Sequence, residues 1–143
     1  YFGEKAERLR ESGGEYGAAT GRPRRVGPFD VVASRYGIRC QGADEIALTK
    51  LDVLDGYEEI EICTHYELDG KVLDEFPFTD VLDYCKPVFE KVKGWNCDIS
   101  HCKKPEDLPK EALDYIRLLE KLCGCRIRYV SVGAEREACI KMY

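Results

Sequence analysis

The sequence has no excess of positive charge, no long apolar run, no CxxC pair and no GxxxxGK-like phosphate loop. Each absence removes a class of function. A formal net charge of −5 and a pI near 5.2 argue against a general nucleic-acid or anionic-membrane surface, because phosphate-driven binding needs a basic field. Nothing approaches the roughly eighteen apolar residues needed to span a bilayer, and the first residues do not resemble a secretory signal. The expectation is a cytoplasmic protein that contacts neither membrane nor nucleic acid. The chain opens on Tyr1 rather than Met, as an excised piece of a longer polypeptide does. Histidine is scarce as well. His65 falls on an alternating strand face and His101 in a polar loop, so neither is assigned as a catalytic acid or base.

What is plentiful is cysteine: Cys40, Cys63, Cys85, Cys97, Cys102, Cys123, Cys125 and Cys139. In a short secreted chain this number suggests a disulfide framework. Here 44% of 143 residues are hydrophobic, enough for a real core, so the thiols are expected to be reduced. His101-Cys102 and Cys123-Gly124-Cys125 supply possible metal ligands, but their spacing fits no common zinc finger.

Chemistry concentrates in Gly13-Gly14-Glu15-Tyr16-Gly17-Ala18-Ala19-Thr20-Gly21-Arg22-Pro23-Arg24-Arg25. Four glycines loosen the backbone, and three guanidinium groups then arrive within four positions. Arginine carries a permanent charge and a planar fork of donors that fits carboxylate or phosphate oxygens, and Pro23 stiffens the segment between Arg22 and Arg24. The stretch reads as an anion-gripping loop.

The patterning predicts a single α/β unit over residues 1–143 with no internal repeat. A short charged helix spans Glu4 to Arg10 and stops at Gly13-Gly14. Asp30 caps a helix from Val31 to about Cys40, with Val31, Val32, Tyr36 and Cys40 near one face, and its positive end lies close to the arginine loop. Glu45 to Thr49 is a short strand whose carboxyl end delivers Lys50-Leu51-Asp52, the place where ligands sit in open α/β sheets. Ile60 to Leu68 alternates, with Ile60, Ile62, Tyr66 and Leu68 on one face and Glu61, Cys63, His65 and Glu67 on the other. Asp69-Gly70 signals a hairpin, giving an antiparallel pair around residues 60–76. Thr79 caps a short helix through Cys85, Pro87 to Val92 is an edge strand, and Lys103 to Asp107 is loop. Pro109 opens the strongest helix, with Ala112, Ile116, Leu119 and Cys123 at helical spacing and Gly124 as its stop. Ile127 to Val132 is the next strand, and it ends in Ser131-Val132-Gly133, so two strand ends are expected to converge on one ligand.

Three segments, in order, carry a resemblance to a known family. Glu15 to Arg25 is similar to the substrate-binding loop of the adenylosuccinate synthetases, GTP-dependent ligases that join aspartate to IMP. Leu48-Thr49-Lys50-Leu51-Asp52-Val53-Leu54-Asp55-Gly56 and Ser131-Val132-Gly133 resemble that family's guanine-binding elements, and Thr49 to Asp52 is also similar to the NKxD element of GTPases. The likeness runs from about Gly13 to Ile140. It implies the C-terminal portion of a mostly parallel-sheet ligase fold, active in purine biosynthesis as a homodimer, with magnesium and GTP. The reaction implied has two steps: GTP phosphorylates the IMP 6-oxygen, and the aspartate amine then displaces phosphate.

Residue by residue, the resemblance makes Ala18, Ala19, Thr20, Gly21, Arg22, Pro23 and Arg24 the substrate-binding loop over aspartate, with Arg22 reaching IMP and Arg24 reaching GTP. Lys50, Leu51, Asp52, Ser131, Val132 and Gly133 become the GTP-binding residues. Asp52 suits that role chemically. Its carboxylate offers two acceptors side by side, matching the N1–H and exocyclic amine of guanine, a pair that adenine lacks. Lys50 is placed to lay its methylene stem over the base. The family's phosphate loop and catalytic acid and base belong to its N-terminal portion, so the fragment is expected to be inactive alone.

Three positions depart from the family pattern: Ala19 replaces a common threonine, Pro28 a common tryptophan, and Ala134 a common proline after Gly133. Two rival readings belong to other classes. Gly21-Arg22-Pro23 followed by arginine looks like the core of an AT-hook that reaches into a DNA minor groove, without its leading arginine. The cysteines allow a small zinc-stabilised interaction domain.

Overall fold

Helix α1 (Gly3–Gly13) begins the chain in a computed structural model that describes all residues, Tyr1–Tyr143. A two-residue strand, β1 (Phe29–Asp30), passes directly into α2 (Val31–Gln41). The Asp30 carboxylate starts that helix by accepting the Ala33 N–H at 2.9 Å. Strand β2 (Glu45–Leu48) follows, then a 3-10 turn over Leu51–Leu54. Strands β3 (Glu59–Leu68), β4 (Lys71–Leu73) and β5 (Lys86–Lys93) form the middle, with the short α3 (Thr79–Leu82) between the last two. Helix α4 (Lys110–Cys123) then leads into β6 (Arg126–Ser131), and β7 (Cys139–Lys141) ends the chain.

The strands form two mixed sheets. In one, β1 runs parallel to β3, which also pairs antiparallel with β4 and β5. In the other, β2 is parallel to β6, in register at Leu48 and Val130, and β6 is antiparallel to β7. The hairpin expected around residues 60–76 is β3–β4. Its turn places Asp69 and Gly70 at φ of 50° and 75°, the primed geometry that an Asp-Gly pair accommodates. The edge strand expected at Pro87 to Val92 is β5.

The main core gathers 19 buried residues around Trp95, Ile99, the inner face of α4 and the strand β6. On α4 the expected Ala112, Ile116, Leu119 and Cys123 are all buried, together with Tyr115. Gly94 is required where the chain enters this core, since a Cβ there would stand 2.0 Å from the Tyr57 carbonyl oxygen. A second, smaller cluster joins Val32, Cys63 and Tyr66.

Several expectations fail for identifiable reasons. Tyr66 does not share a face with Ile60 and Ile62, because the β3–β5 ladder carries a bulge between Cys63 and His65. One extra residue reverses the alternation, so Tyr66 lies with Cys63, and its hydroxyl donates to Asp30 at 2.6 Å. Tyr36 and Cys40 are exposed. A spacing of four residues drifts about 40° per step around a helix of 3.6 residues per turn, which carries them off the buried stripe of Val31 and Val32. Tyr36 instead stacks on Phe76, with ring centroids 4.9 Å apart. Thr79 is the first residue of α3 rather than its cap, a position held by Phe78. Pro105–Asp107, expected as plain loop, forms a 3-10 turn, and β7 is too short to show an alternating pattern.

Candidate functional site

Two parallel neighbours bring the two predicted strand ends together. Because β2 and β6 are hydrogen-bonded side by side, Lys50 and Ser131 emerge at the same edge, and the Lys50 N–H donates to Ser131 Oγ at 2.8 Å. Lys50 itself adopts a left-handed backbone, φ 59°. For a residue with a Cβ this costs on the order of 1–3 kcal/mol and must be held by its surroundings. The Ser131 hydroxyl and the 3-10 turn that follows supply that constraint. On the far side, Val132 is buried and its N–H donates to the Ala138 carbonyl at 2.8 Å, while Gly133 lies against Ala138.

Asp52 sits in the first turn of the Leu51–Leu54 segment, beside the buried Leu51. One of its carboxylate oxygens, Oδ1, is buried without a hydrogen-bond partner. An unsatisfied acceptor in that position costs roughly 1–3 kcal/mol, and a ligand that donates a hydrogen bond to it removes the cost. No group of the chain donates to it.

The arginine loop is a small hairpin. Tyr16 and Pro23 form an antiparallel bridge, closed by bonds from Gly17 N–H to Arg22 O and from Arg24 N–H to Glu15 O, both 2.9 Å. Ala18, Ala19, Thr20 and Gly21 form the exposed tip, and Thr20 Oγ1 accepts the Arg22 N–H at 3.3 Å. Arg22, Pro23, Arg24 and Arg25 are all exposed. Of the three arginines only Arg24 enters an ion pair, with Glu15 at 3.0 Å.

Glu15 joins the two regions, a role that sequence reasoning did not assign. Its other oxygen accepts from Lys50 Nζ at 2.5 Å, and the same ammonium donates to the Gly13 carbonyl at 2.6 Å. The Lys50 bond chiefly, with Arg24 assisting, holds the Glu15 carboxyl below the usual glutamate range. The Lys50 head group is thus committed to the arginine loop, which leaves only its stem and backbone facing the strand end. The signal in the sequence was charge complementarity across 35 positions, which is invisible to local patterning.

At the start of α2, Asp30 accepts the Ala33 amide and also holds the Tyr66 hydroxyl. A cavity of about 440 Å³ does open beside the loop, bounded by α1, the segment from Arg25 to Phe29, and the β2 end at Leu48 to Leu51. The His65 ring hydrogen-bonds with its neighbour Thr64, at 3.1 Å. All eight cysteines are free thiols, and no three His, Cys, Asp or Glu side chains gather to hold a metal ion.

Comparison with known proteins gives a consistent result. A family model described as adenylosuccinate synthetase matches residues 1–140. The adenylosuccinate synthetase of Pelobacter propionicus is 51% identical over 140 residues, which cover 97% of this chain and 33% of the relative. That of Aquifex aeolicus is 46% identical over 136 residues, covering 94% of this chain and 32% of the relative. Among solved structures, the fully ligated adenylosuccinate synthetase from Plasmodium falciparum superposes with a TM-score of 0.93 at 37% identity, covering 100% of this chain and 35% of that one. The chain therefore spans about a third of the length of the relatives it matches.

Proposed function

The chain belongs to the adenylosuccinate synthetase family, and from that premise we propose that it is one α/β part of a GTP-dependent ligase that joins L-aspartate to IMP, supplying the guanine-reading and anion-gripping residues. The single observation that carries this reading is the buried, unpartnered Oδ1 of Asp52 at the joint end of β2 and β6. Guanine offers the two adjacent donors that a carboxylate needs, and a site built to hydrogen-bond a group rejects an analogue lacking it by on the order of 10⁴.

In this reading Lys50, Leu51 and Asp52 hold one side of the base, and Ser131, Val132 and Gly133 close the other. Ala18 to Arg24 form the substrate loop. Its tip and arginines face solvent, where Arg22 can take a carboxylate or phosphate of aspartate or IMP bidentately, and Arg24 reaches the GTP side while anchored through Glu15 and Lys50. An arginine between two anionic ligands holds the aspartate amine near the activated purine and offsets charge building on the transferred phosphoryl group. Magnesium and the phosphate-binding loop belong with the rest of the family's length, and the complete enzyme acts as a homodimer in the cytoplasm.

The test is a graft. Residues 1–143 replace the matched third of a bacterial relative, and adenylosuccinate formation is followed with GTP, IMP and aspartate. An active graft, with the chain alone inactive, supports the reading. A folded graft that binds no guanine nucleotide overturns it.

A further inference from the structure

Asp55 closes the turn that carries Asp52. Its backbone N–H donates to the Asp52 carbonyl at 3.0 Å, and its carboxylate accepts from two buried donors, the Trp95 indole Nε1–H at 2.6 Å and the Ile99 N–H at 3.1 Å. Trp95 is 2% exposed and Ile99 is fully buried. The neighbouring Gly56 N–H donates to the Trp95 carbonyl at 3.3 Å, so the strap is fastened in both directions. We propose that Asp55 is a positioning residue that fixes the direction of the Asp52 carboxylate by tying its turn to Trp95 and Ile99, and thereby sets how strictly the site demands the exocyclic amine of guanine. This rests on the reading of Asp52 given above.

The segment from Lys50 to Asp55 is pinned at both ends. Upstream, the Lys50 amide is held by Ser131; downstream, Asp55 is held by the core. Asp52 lies between them with only Leu51 as a buried foot. A bidentate contact to N1–H and the amine requires both carboxylate oxygens in the plane of the base, whereas a contact to N1–H alone tolerates a rotated carboxylate. Loosening the downstream pin therefore harms recognition of the amine more than recognition of the ring.

A carboxylate is needed at position 55 because two buried donors need two acceptors. Asparagine offers one acceptor oxygen, which leaves either the indole or the Ile99 amide unpaired. The titratable groups facing Asp55 are Asp52 in its own turn and Asp98 and Cys102 in the loop after Trp95. Burial, aided by Asp98 and Asp52, moves its carboxyl above the usual aspartate range, against the two hydrogen bonds that pull it down. Trp95 is the only tryptophan, so its indole resonance reports on this one contact.

The experiment uses the 143-residue chain with guanosine and inosine, nucleosides that ask nothing of a phosphate site and differ in the exocyclic amine. Binding is read from the amide shifts of Leu51 to Leu54, and the Asp55 contact from the pH dependence of the Trp95 indole N–H. The wild-type chain is expected to prefer guanosine. Asp55→Asn is expected to cut that preference about tenfold, a 1.4 kcal/mol change in discrimination, and to abolish the indole titration. Uniform weakening of both nucleosides, or an unchanged preference after the indole titration is lost, overturns the proposal and leaves Asp52 as the guanine reader. Absence of any preference in the wild-type chain overturns both. Should Asp55→Asn fail to fold, Trp95→Phe removes one donor while keeping the carboxylate, and the same narrowing of preference is expected.

Discussion

The arginine loop and the joint end of β2 and β6 are linked through Lys50 and Glu15, yet they are built in opposite ways. Ser131 and Leu51 are rooted in sheet and core, with Leu51, Val130 and Val132 each no more than 2% exposed. The loop from Gly13 to Arg25 contributes no buried residue and is held by a single bridge, a few backbone bonds and the ion pairs of Glu15 with Arg24 and Lys50. In the function proposed above, the difference separates recognition from capture. A reader of base edges needs its acceptors fixed before the ligand arrives, because discrimination depends on directed hydrogen bonds. A gripper of anions needs reach and charge, and its ordering is completed by the ligand it closes on.

A lesion in the core should damage the rooted side first and by the most. Leu119→Ala empties volume beneath β6, where Leu119 is fully buried, and is expected to cost about 2–5 kcal/mol of stability by chemical denaturation. No comparable loss should follow any substitution between Ala18 and Arg25. An arginine-loop variant that unfolds the chain to the same degree would show that the loop is rooted in the core as deeply as the strand ends.

Function should respond the other way round. In the grafted enzyme, Arg22→Leu is expected to raise the aspartate requirement and slow turnover by about ten- to a hundredfold, the worth of one or two charge-assisted hydrogen bonds, while sparing GTP binding. Unchanged aspartate kinetics would remove Arg22 from the substrate loop.

The seat of Trp95 gives a sharper contrast. Gly94→Ala forces a Cβ into the Tyr57 carbonyl and is expected to cost about 1–3 kcal/mol, with a matching fall in melting temperature and a shift in tryptophan emission. In the loop, a Cβ on Gly17 would meet Thr20 Oγ1 at 3.2 Å, the end of an exposed side chain that can turn aside, so Gly17→Ala should leave both nearly unchanged.

The smallest effect belongs to the link between the regions. The Glu15 carboxyl is held low by Lys50 and Arg24, so the stability it contributes is present above the ordinary glutamate pKa and is lost as pH falls through the lowered folded value. Half-exposed partners keep this to under about 1 kcal/mol. Melting temperatures of the wild type and Glu15→Gln should differ slightly at neutral pH and converge in acid; a gap that widens in acid contradicts the assigned ion pair.

Local patterning made most of the fold legible. Asp30 and Gly42 bracket α2 because a cap and a stop are written into adjacent residues, and the Asp69-Gly70 turn fixes its own hairpin. The β3 bulge was not legible, since nothing in Cys63-Thr64-His65 marks an extra residue. On the site, the convergence of Lys50 and Ser131 could be expected from two strand ends, but their pairing depends on β2 and β6 lying side by side across 81 positions. Glu15 and Asp55 escaped for the same reason: their partners are distant in sequence, and carboxylates on turns look solvated until the fold supplies donors.

Whether Asp52 reads guanine is decided by nucleotide preference in the grafted ligase carrying Asp52→Asn. An asparagine presents one acceptor and one donor, which match the N1–H and C2 carbonyl of xanthine. GTP use is expected to fall sharply, and xanthosine triphosphate to become the better phosphoryl donor. A variant that keeps its full preference for GTP would remove Asp52 as the guanine reader.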